Sequence, residues 1–425
     1  MICVNSTFQP LFLQGELSLL GLVFRRTPVS WLNLFSQPTR AAVSMGGVSF
    51  ALLLIFMQLG FRGAVGNTAT IVYATLSGDI VMRSPDYVHL YEPRTIDRAW
   101  MQIIASHPQV EGVDPFFILL QRWQNPIRSK SCENAPPDGS FRTVGMMAME
   151  LDRPVIRIPE METLLDKIKD PDAMLVDLAT RAEYGPQNCK KFSDEDIGQV
   201  AELGGKATRI VGVFSVGTGL ATNGAVLLSD VGFSKRTMVD TRRRASLGLV
   251  RLVPGADPLK VKEELLTWLK DTDSHADQAV QLLTMNEQKE WERARWLNET
   301  PIGMIFTMGV LISFIIGAAI VYMILAVDVA ARLPEFATLK AMGYSEWFVA
   351  GIVLQQAWIL AVAGYVIAGS TALALYRITV MASGIPTFMT VERMIFVAVL
   401  AFVMCTMSGL LAIRNLWKAD PASLF

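Results

Sequence analysis

The chain has 425 residues, 52% hydrophobic and 18% charged, with a mean hydropathy of +0.37, which is too apolar for a soluble domain of this size. Its formal net charge of -1 gives no concentrated basic surface, so no nucleic acid is expected as a partner. The cysteines Cys3, Cys132, Cys189 and Cys405 and the histidines His89, His107 and His275 lack metal-ligand spacing, and no metal site is expected.

At the start of the chain, Met1 to Leu20 has no basic opening, carries Glu16 and shows no small-residue cleavage pattern, so it does not read as a signal peptide. The first segment of membrane length without Asp, Glu, Lys or Arg is Ala41 to Phe61, of 21 residues. Three more follow: Pro301 to Val327 with 27, Trp347 to Tyr376 with 30, and Met394 to Ile413 with 20. Each reaches the roughly 20 residues that cross about 30 Å of hydrocarbon. The expected class is therefore an α-helical membrane protein with four transmembrane helices and a large mixed α/β extracytoplasmic domain between helices 1 and 2. Arg25, Arg26 and Arg40 before the first span, and Arg414 and Lys418 after the last, favour cytoplasmic termini. The predicted order is a cytoplasmic segment 1–40, span 41–61, outer domain 62–300, span 301–327, cytoplasmic connection 328–346, span 347–376, outer loop 377–393, span 394–413 and cytoplasmic tail 414–425.

Within the outer domain, "GDIVMRS" from Gly78, "RIVGVFSV" from Arg209 and "GAVLLSD" from Gly224 have strand-like β-branched content. "TIDRAWMQIIASHP" from Thr95 and "DPLKVKEELLTWLK" from Asp257 read as amphipathic helices, the second with an N-cap Asp and a first-turn Pro. The alternation predicts two or more α/β lobes. Cys132 and Cys189 both fall here, where a disulfide persists; a bridge between them and two separate thiols are both open. "MNEQKEWERARWLNETPIGMIF" from Met285 predicts a helix leading to the second span, with Trp291 and Trp296 placed to meet the outer leaflet. Pro301 either kinks it or opens a new first turn. The segment is either a rigid stalk or a plain connector anchored by its tryptophans.

The spans show no buried charged row for an ion or proton relay. Asp328 and Arg332 stand at a helix end within expected reach of water, and Gln58, Gln355 and Gln356 are expected to hydrogen-bond between helices. No phosphate-binding loop occurs, Ser215 lacks a nucleophile-elbow pattern, and Asp79 has no evident paired carboxylate, so no catalytic residue is expected. Between the second and third spans, "LPEFATLKAMGYSE" places Leu333, Phe336, Leu339 and Met342 in one stripe, with Glu335, Thr338 and Lys340 away from it and Gly343 to end the turn. A short helix on the cytoplasmic face is predicted, either docked in a groove of a soluble partner or resting on lipid headgroups.

Several stretches together resemble the FtsX/MacB-like permeases of ABC transporters, and more closely the DevC branch, the permease of heterocyst-type glycolipid exporters. They are "FRRTPVSWLNLFSQPTRAAVSMGGVSFALLLIFMQLGFR" from Phe24, "IVGVFSVGTGLATNGAVLLSD" from Ile210, "GLVRLVPGADP" from Gly248, "TPIGMIFTMGVLISFIIGAAIVYMILAVDVAARLPEFATLKAMGYS" from Thr300 and the closing "SGLLAIRNLWKADPASLF". The resemblance implies a bacterial inner-membrane permease without catalytic residues, paired as a homodimer with a separate cytoplasmic ABC ATPase that holds the ATP and Mg2+. It implies that the segment from Leu333 is the coupling helix, with Glu335, Lys340, Ala341 and Gly343 contacting or shaping the ATPase interface. It implies an amphipathic cytoplasmic helix over Phe24 to Arg40, with Arg25, Arg26 and Trp31 at headgroup level. The outer domain would then be periplasmic and would meet a membrane-fusion adaptor and a TolC-like outer-membrane channel. The expected activity is export of a lipid, glycolipid or other hydrophobic cargo by mechanotransmission. Two alternatives remain, lipoprotein extraction and FtsX-like regulation of a cell-wall hydrolase. The first 23 residues match nothing in the family core.

Overall fold

The computed structural model describes residues 38–127, 139–158, 161–383 and 385–417; Arg25, Arg26, Trp31 and Cys132 lie outside them. The chain divides into two compact units: residues 62–304 with 384–386, and the remainder. The first helix, α1 (Pro38–Ala69), contains the first uncharged segment and extends beyond it.

Among its described residues the larger unit has eleven strands. They are β1 (Ile80–Arg83), β2 (Ile96–Asp97), β3 (Val110–Gln124), β4 (Phe141–Met149), β5 (Ala173–Asp177), β6 (Val200–Leu203), β7 (Lys206–Phe214), β8 (Ala225–Ser229), β9 (Arg244–Ala245), β10 (Leu247–Leu252) and β11 (Gln281–Thr284). Its helices are α2 (Arg98–Ala105), α3 (Met161–Leu165), α4 (Asp230–Arg236), α5 (Pro258–Thr272), α6 (Ala276–Ala279) and α7 (Met285–Ala294). Nine strands form one mixed sheet in the order β11-β1-β10-β3-β4-β8-β5-β7-β6, and β6 also pairs with β3. Six strands, from β3 round to β6, therefore close on themselves, while β10, β1 and β11 extend the sheet from the other side of β3. The several lobes expected from the sequence are thus one sheet with a closed part and an open arm, and the long β3 belongs to both.

Side chains alternate across this sheet as a period of two requires. Ile80, Met82, Phe117, Met146, Val226 and Val250 enter one core with Ile104 of α2 and Leu265 of α5. Val81, Phe116, Ile118, Met147, Leu227 and Leu249 enter the other with Tyr73, Tyr87 and Leu164. Both faces are covered, so an apolar residue stands at almost every position of the central strands. The helices start where the sequence places caps: Asp97 accepts from Ala99 N, and Asp257 accepts from Leu259 N with Pro258 in the first turn.

The second unit holds the apolar helices α1, α8 (Pro301–Ala331), α10 (Glu346–Ser383) and α11 (Val391–Trp417), with the short α9 (Leu333–Ala341) between α8 and α10. All four long helices are long and apolar enough to cross a membrane, with mean hydropathies of 2.0, 2.8, 1.8 and 2.4. Leu52, Ile55, Val321, Val353, Leu360 and Met404 form a buried seam between them, while Ile305, Ile315, Met323 and Val399 point outward as an apolar surface suited to lipid. A Cβ on Gly317 would stand 2.9 Å from Ala51 Cβ and 2.8 Å from Met404 Sδ, so this glycine lets α8 close on α1 and α11. The protein is a multi-pass membrane protein with a large extracytoplasmic domain after the first span.

Candidate functional site

Helix α9 follows α8 with the single residue Arg332 between them, and its apolar stripe points into its own protein. Phe336 is 4% exposed within the bundle core, and Leu333 and Leu339 pack partly buried against the same core. The stripe read from the sequence is the helix's seat, and Met342, 63% exposed, is not part of it. The surface left outward carries Glu335, Ala341 and Gly343, with Lys340 half-buried.

The end of α9 is fixed by backbone chemistry. Tyr344 N donates to Leu339 O at 3.1 Å and Gly343 N to Lys340 O at 3.0 Å, the paired bonds of a Schellman stop. Gly343 has φ +89°, a conformation that costs an L side chain about 1–2 kcal/mol. A Cβ there would meet no atom within 4 Å, so the requirement for glycine is conformational and not steric. Lys340 Nζ then bonds Glu346 Oε1 at 2.7 Å, tying the last turn of α9 to the first of α10.

The start of α9 is held by a charged cluster that the sequence does not reveal. Asp328, 8% exposed, takes a short hydrogen bond from Gln356 of α10. Its Oδ1 lies 3.8 Å from Arg40 Nη1 of α1 and 3.7 Å from Arg332 Nε, and Arg332 Nη1 is 3.8 Å from Glu335 Oε2 on α9. Asp328 and Arg332 are therefore buried among three spans, which corrects the expectation that water reaches them. Burial follows because the carboxylate gathers partners from α1, α8 and α10 at once, which lowers the cost of removing it from water. Gln356 bonds between helices as expected.

A second polar assembly lies in the extracytoplasmic unit, where α7 meets the sheet. Helix α7 starts at a capping box: Thr284 Oγ1 accepts from Glu287 N at 3.2 Å, and Glu287 Oε2 accepts from Thr284 N at 2.8 Å. From it, Gln288 and Glu292 point into the core at 0% and 1% exposure. Arg83 Nη1 donates to Gln288 Oε1 at 2.9 Å, and Gln288 Nε2 donates to Tyr73 OH at 2.9 Å. Tyr73 OH and Tyr87 OH are 2.6 Å apart, and Tyr87 OH donates to Glu292 Oε2 at 2.6 Å. Donor and acceptor chemistry fixes the direction throughout, since a guanidinium only donates and a carboxylate only accepts. The chain runs Arg83 to Gln288 to Tyr73 to Tyr87 to Glu292. Glu292 Oε1 takes two further donors, Leu90 N at 3.2 Å and Trp296 Nε1 at 3.0 Å. Burial pushes the Glu292 carboxyl above its ordinary range against the pull of these donors, and burial likewise raises both tyrosines and lowers Arg83.

Both tryptophans singled out from the sequence join this assembly. Trp291 receives the Arg83 guanidinium 4.1 Å from its ring centre and packs edge-on to Tyr87 at 5.2 Å. Trp296 lies 5.5 Å from the His89 ring. Beyond them the helix widens into a π turn, Arg295–Glu299, Thr300 is extended, and α8 opens on Pro301. Pro301 is therefore a new first turn. The tail of α1 shares this region, since a Cβ on Gly66 would come 3.0 Å from Arg293 Cγ. The missed members could have been found from spacing: Gln288, Glu292 and Trp296 recur every four residues on one helical face.

Cys189 is disulfide-bonded, and Cys132 lies outside the described residues. Among the described residues no group of three His, Cys, Asp or Glu side chains gathers as a metal site would.

Residues 306–421 match a family model described as FtsX-like permease C-terminal; this covers α9 and the three spans around it. No curated protein sequence matches the chain. Among solved structures, the periplasmic region of MacB from Actinobacillus actinomycetemcomitans is similar at 9% identity and a TM-score of 0.34, over 51% of this chain and 93% of that one. The extracellular domain of the noncanonic ABC-type transporter YknZ from Gram-positive bacteria is similar at 12% identity and a TM-score of 0.30, over 49% of this chain and 100% of that one.

Proposed function

We propose that the chain is the permease subunit of an ABC-type exporter, of the DevC branch, in a bacterial inner membrane with its large domain in the periplasm. The observation that carries this reading is α9, a short helix inside the segment that matches the FtsX-like permease C-terminal family, seated by Phe336 and tied at both ends to spans. A separate cytoplasmic ATPase, holding ATP and Mg2+, presses on the outward side of α9, where Glu335, Ala341 and Gly343 lie. The load passes through Arg332 and Asp328 into α1, α8 and α10 because a helix held by a buried cluster shifts as a body. Two copies act as a dimer, which suits paired ATP sites. The outer domain, steadied by α7 and Pro301 as a stalk, works on a lipid, glycolipid or other hydrophobic cargo together with a membrane-fusion adaptor and a TolC-like channel.

A cysteine at the exposed Ala341 tests the contact. In native membranes it is expected to cross-link to an ABC ATPase, and Gly343→Val is expected to lower ATP-driven export while the spans stay folded. Absence of any ATPase adduct from Ala341→Cys in membranes containing the assembled complex would overturn the assignment.

A further inference from the structure

A cavity of about 670 Å³ opens in the extracytoplasmic unit, with Asp114 of β3, Arg251 of β10 and residues of the segments 152–158 and 161–165 in its wall; its size is that of a small-molecule site. The Asp114 side chain is 4% exposed. Its Oδ2 accepts from Arg251 Nε at 2.9 Å. Its Oδ1 is buried with no hydrogen-bond donor among the described residues, and Arg153 Nη1 stands 3.8 Å away, beyond bonding range. Arg153 is 64% exposed along its side chain and can swing aside. Arg157 lines the same cavity, exposed, and its guanidinium has no partner among the described residues. Ile158 and Leu165, both half-buried, and the buried Met161 add an apolar wall.

Each part selects a different piece of a ligand. A buried carboxylate oxygen without a donor requires an N–H or O–H. An exposed guanidinium donates to phosphate. The apolar wall accepts hydrocarbon. We propose that this cavity binds a zwitterionic amphiphile whose headgroup carries a primary ammonium and a phosphate, as phosphoethanolamine lipids do. The ammonium meets Asp114, the phosphate meets Arg157, and the acyl chains start along Ile158 and Met161. A quaternary ammonium has no N–H to give Asp114, so phosphocholine is the rejected relative.

The inference rests on the amphiphile-handling role proposed above for what arrives at the cavity, but its test requires no ATPase. Dihexanoyl phosphatidylethanolamine and dihexanoyl phosphatidylcholine are titrated calorimetrically into the purified full-length chain in a nonionic detergent. Saturable binding of the first is expected, with the second weaker by about tenfold or more, the weight of one buried charge-assisted hydrogen bond. Arg157→Ala and Asp114→Asn are each expected to weaken the first about tenfold; Arg157 is exposed, so its variant keeps the fold if Asp114→Asn does not. Equal affinity for the two lipids, or equal heats for wild type and Arg157→Ala as from partition into the micelle only, would overturn the proposal. Glycerophosphoethanolamine, which lacks acyl chains, is expected to bind more weakly; binding as tight as the lipid's would refute a lipid occupant in favour of a free zwitterion. A chain that distinguishes the lipids while Ala341→Cys finds no ATPase would refute the coupling assignment alone.

Discussion

Replacing Glu292 by Gln tests whether the buried chain at the base of α7 has one direction. The carboxylate takes three donors, from Tyr87, Leu90 and Trp296. An amide keeps one acceptor oxygen; set at the Oε1 position it serves Leu90 and Trp296, and its NH2 then faces the Tyr87 hydroxyl. Tyr87 must turn its proton to Tyr73, whose own proton then meets the Gln288 NH2, itself held by Arg83. One buried donor is left unsatisfied at some point, at about 1–3 kcal/mol, and the charge-assisted bond to Tyr87 is lost, so the total is about 2–4 kcal/mol. For a unit of this size that lowers the melting temperature by about 4–16 °C. The assay is thermal unfolding of the full-length chain in detergent at pH 8, with the exposed neighbour Glu290→Gln as control. Tyr87→Phe cuts the chain, so the Glu292→Gln penalty should shrink by about 1 kcal/mol or more in that background. A Glu292→Gln melting point within about 1 °C of wild type, with no coupling to Tyr87→Phe, would show that the bonds have no fixed polarity.

Two other perturbations follow from the polar clusters. Asp328→Ala leaves Arg332, 9% exposed along its side chain, without its buried carboxylate; a loss of about 2–4 kcal/mol is expected, below the full cost of a broken buried pair because Arg40 is 40% exposed. The Asp328→Ala/Arg332→Ala double variant should lose less than the sum of the singles in the same unfolding assay, and strict additivity would deny the pairing. His89 gives a pH signal. Burial lowers its pKa below the ordinary histidine range, Arg295 adding to the effect and Glu92 opposing it, and its Nδ1 accepts from Tyr91 N at 3.2 Å. A depressed histidine contributes stability that is present above about pH 6.5 and is lost as pH falls through the folded value. His89→Gln, which keeps an acceptor and cannot titrate there, should flatten the drop in melting temperature between pH 7.5 and 5; an unchanged drop would remove His89 from the account.

The four spans were legible because an uncharged stretch of membrane length has few soluble uses, and α2 and α5 because their apolar residues recur at helical spacing, α5 also starting at an aspartate cap. The longest strand, β3, and its partner β4 were missed. "VEGVDPFFILLQRWQ" shows no alternation at its centre because Phe116 and Phe117 enter opposite cores, and a strand covered on both faces loses the period of two. The closure of β6 onto β3 through Trp123 and Leu203 joins segments far apart in the chain, which no local pattern records. In α9 the spacing gave the stripe but not its direction: Leu333, Phe336 and Leu339 would have the same periodicity against a partner as they have against their own bundle. Asp328 was legible as a helix-end acid, whereas its burial depends on Arg40 and Gln356, which arrive from other helices.

Both clusters place charge where apolar packing would have been cheaper, and the difference bears on how a helix is held in register. An apolar seat such as that of Phe336 resists withdrawal, but hydrophobic contact has no direction and allows sliding at little cost. Asp328 adds directional contacts to α1 and α10, so a displacement of α8 that keeps the packing still separates Arg40 and Gln356 from their carboxylate. The Glu292 chain does the same for α7 against β1, where rotation by one residue would withdraw Gln288 and Glu292 together. Replacing either cluster by matched hydrophobic groups would leave stability similar or higher and would release the register of the helices. The polar contacts therefore specify position more than they add stability.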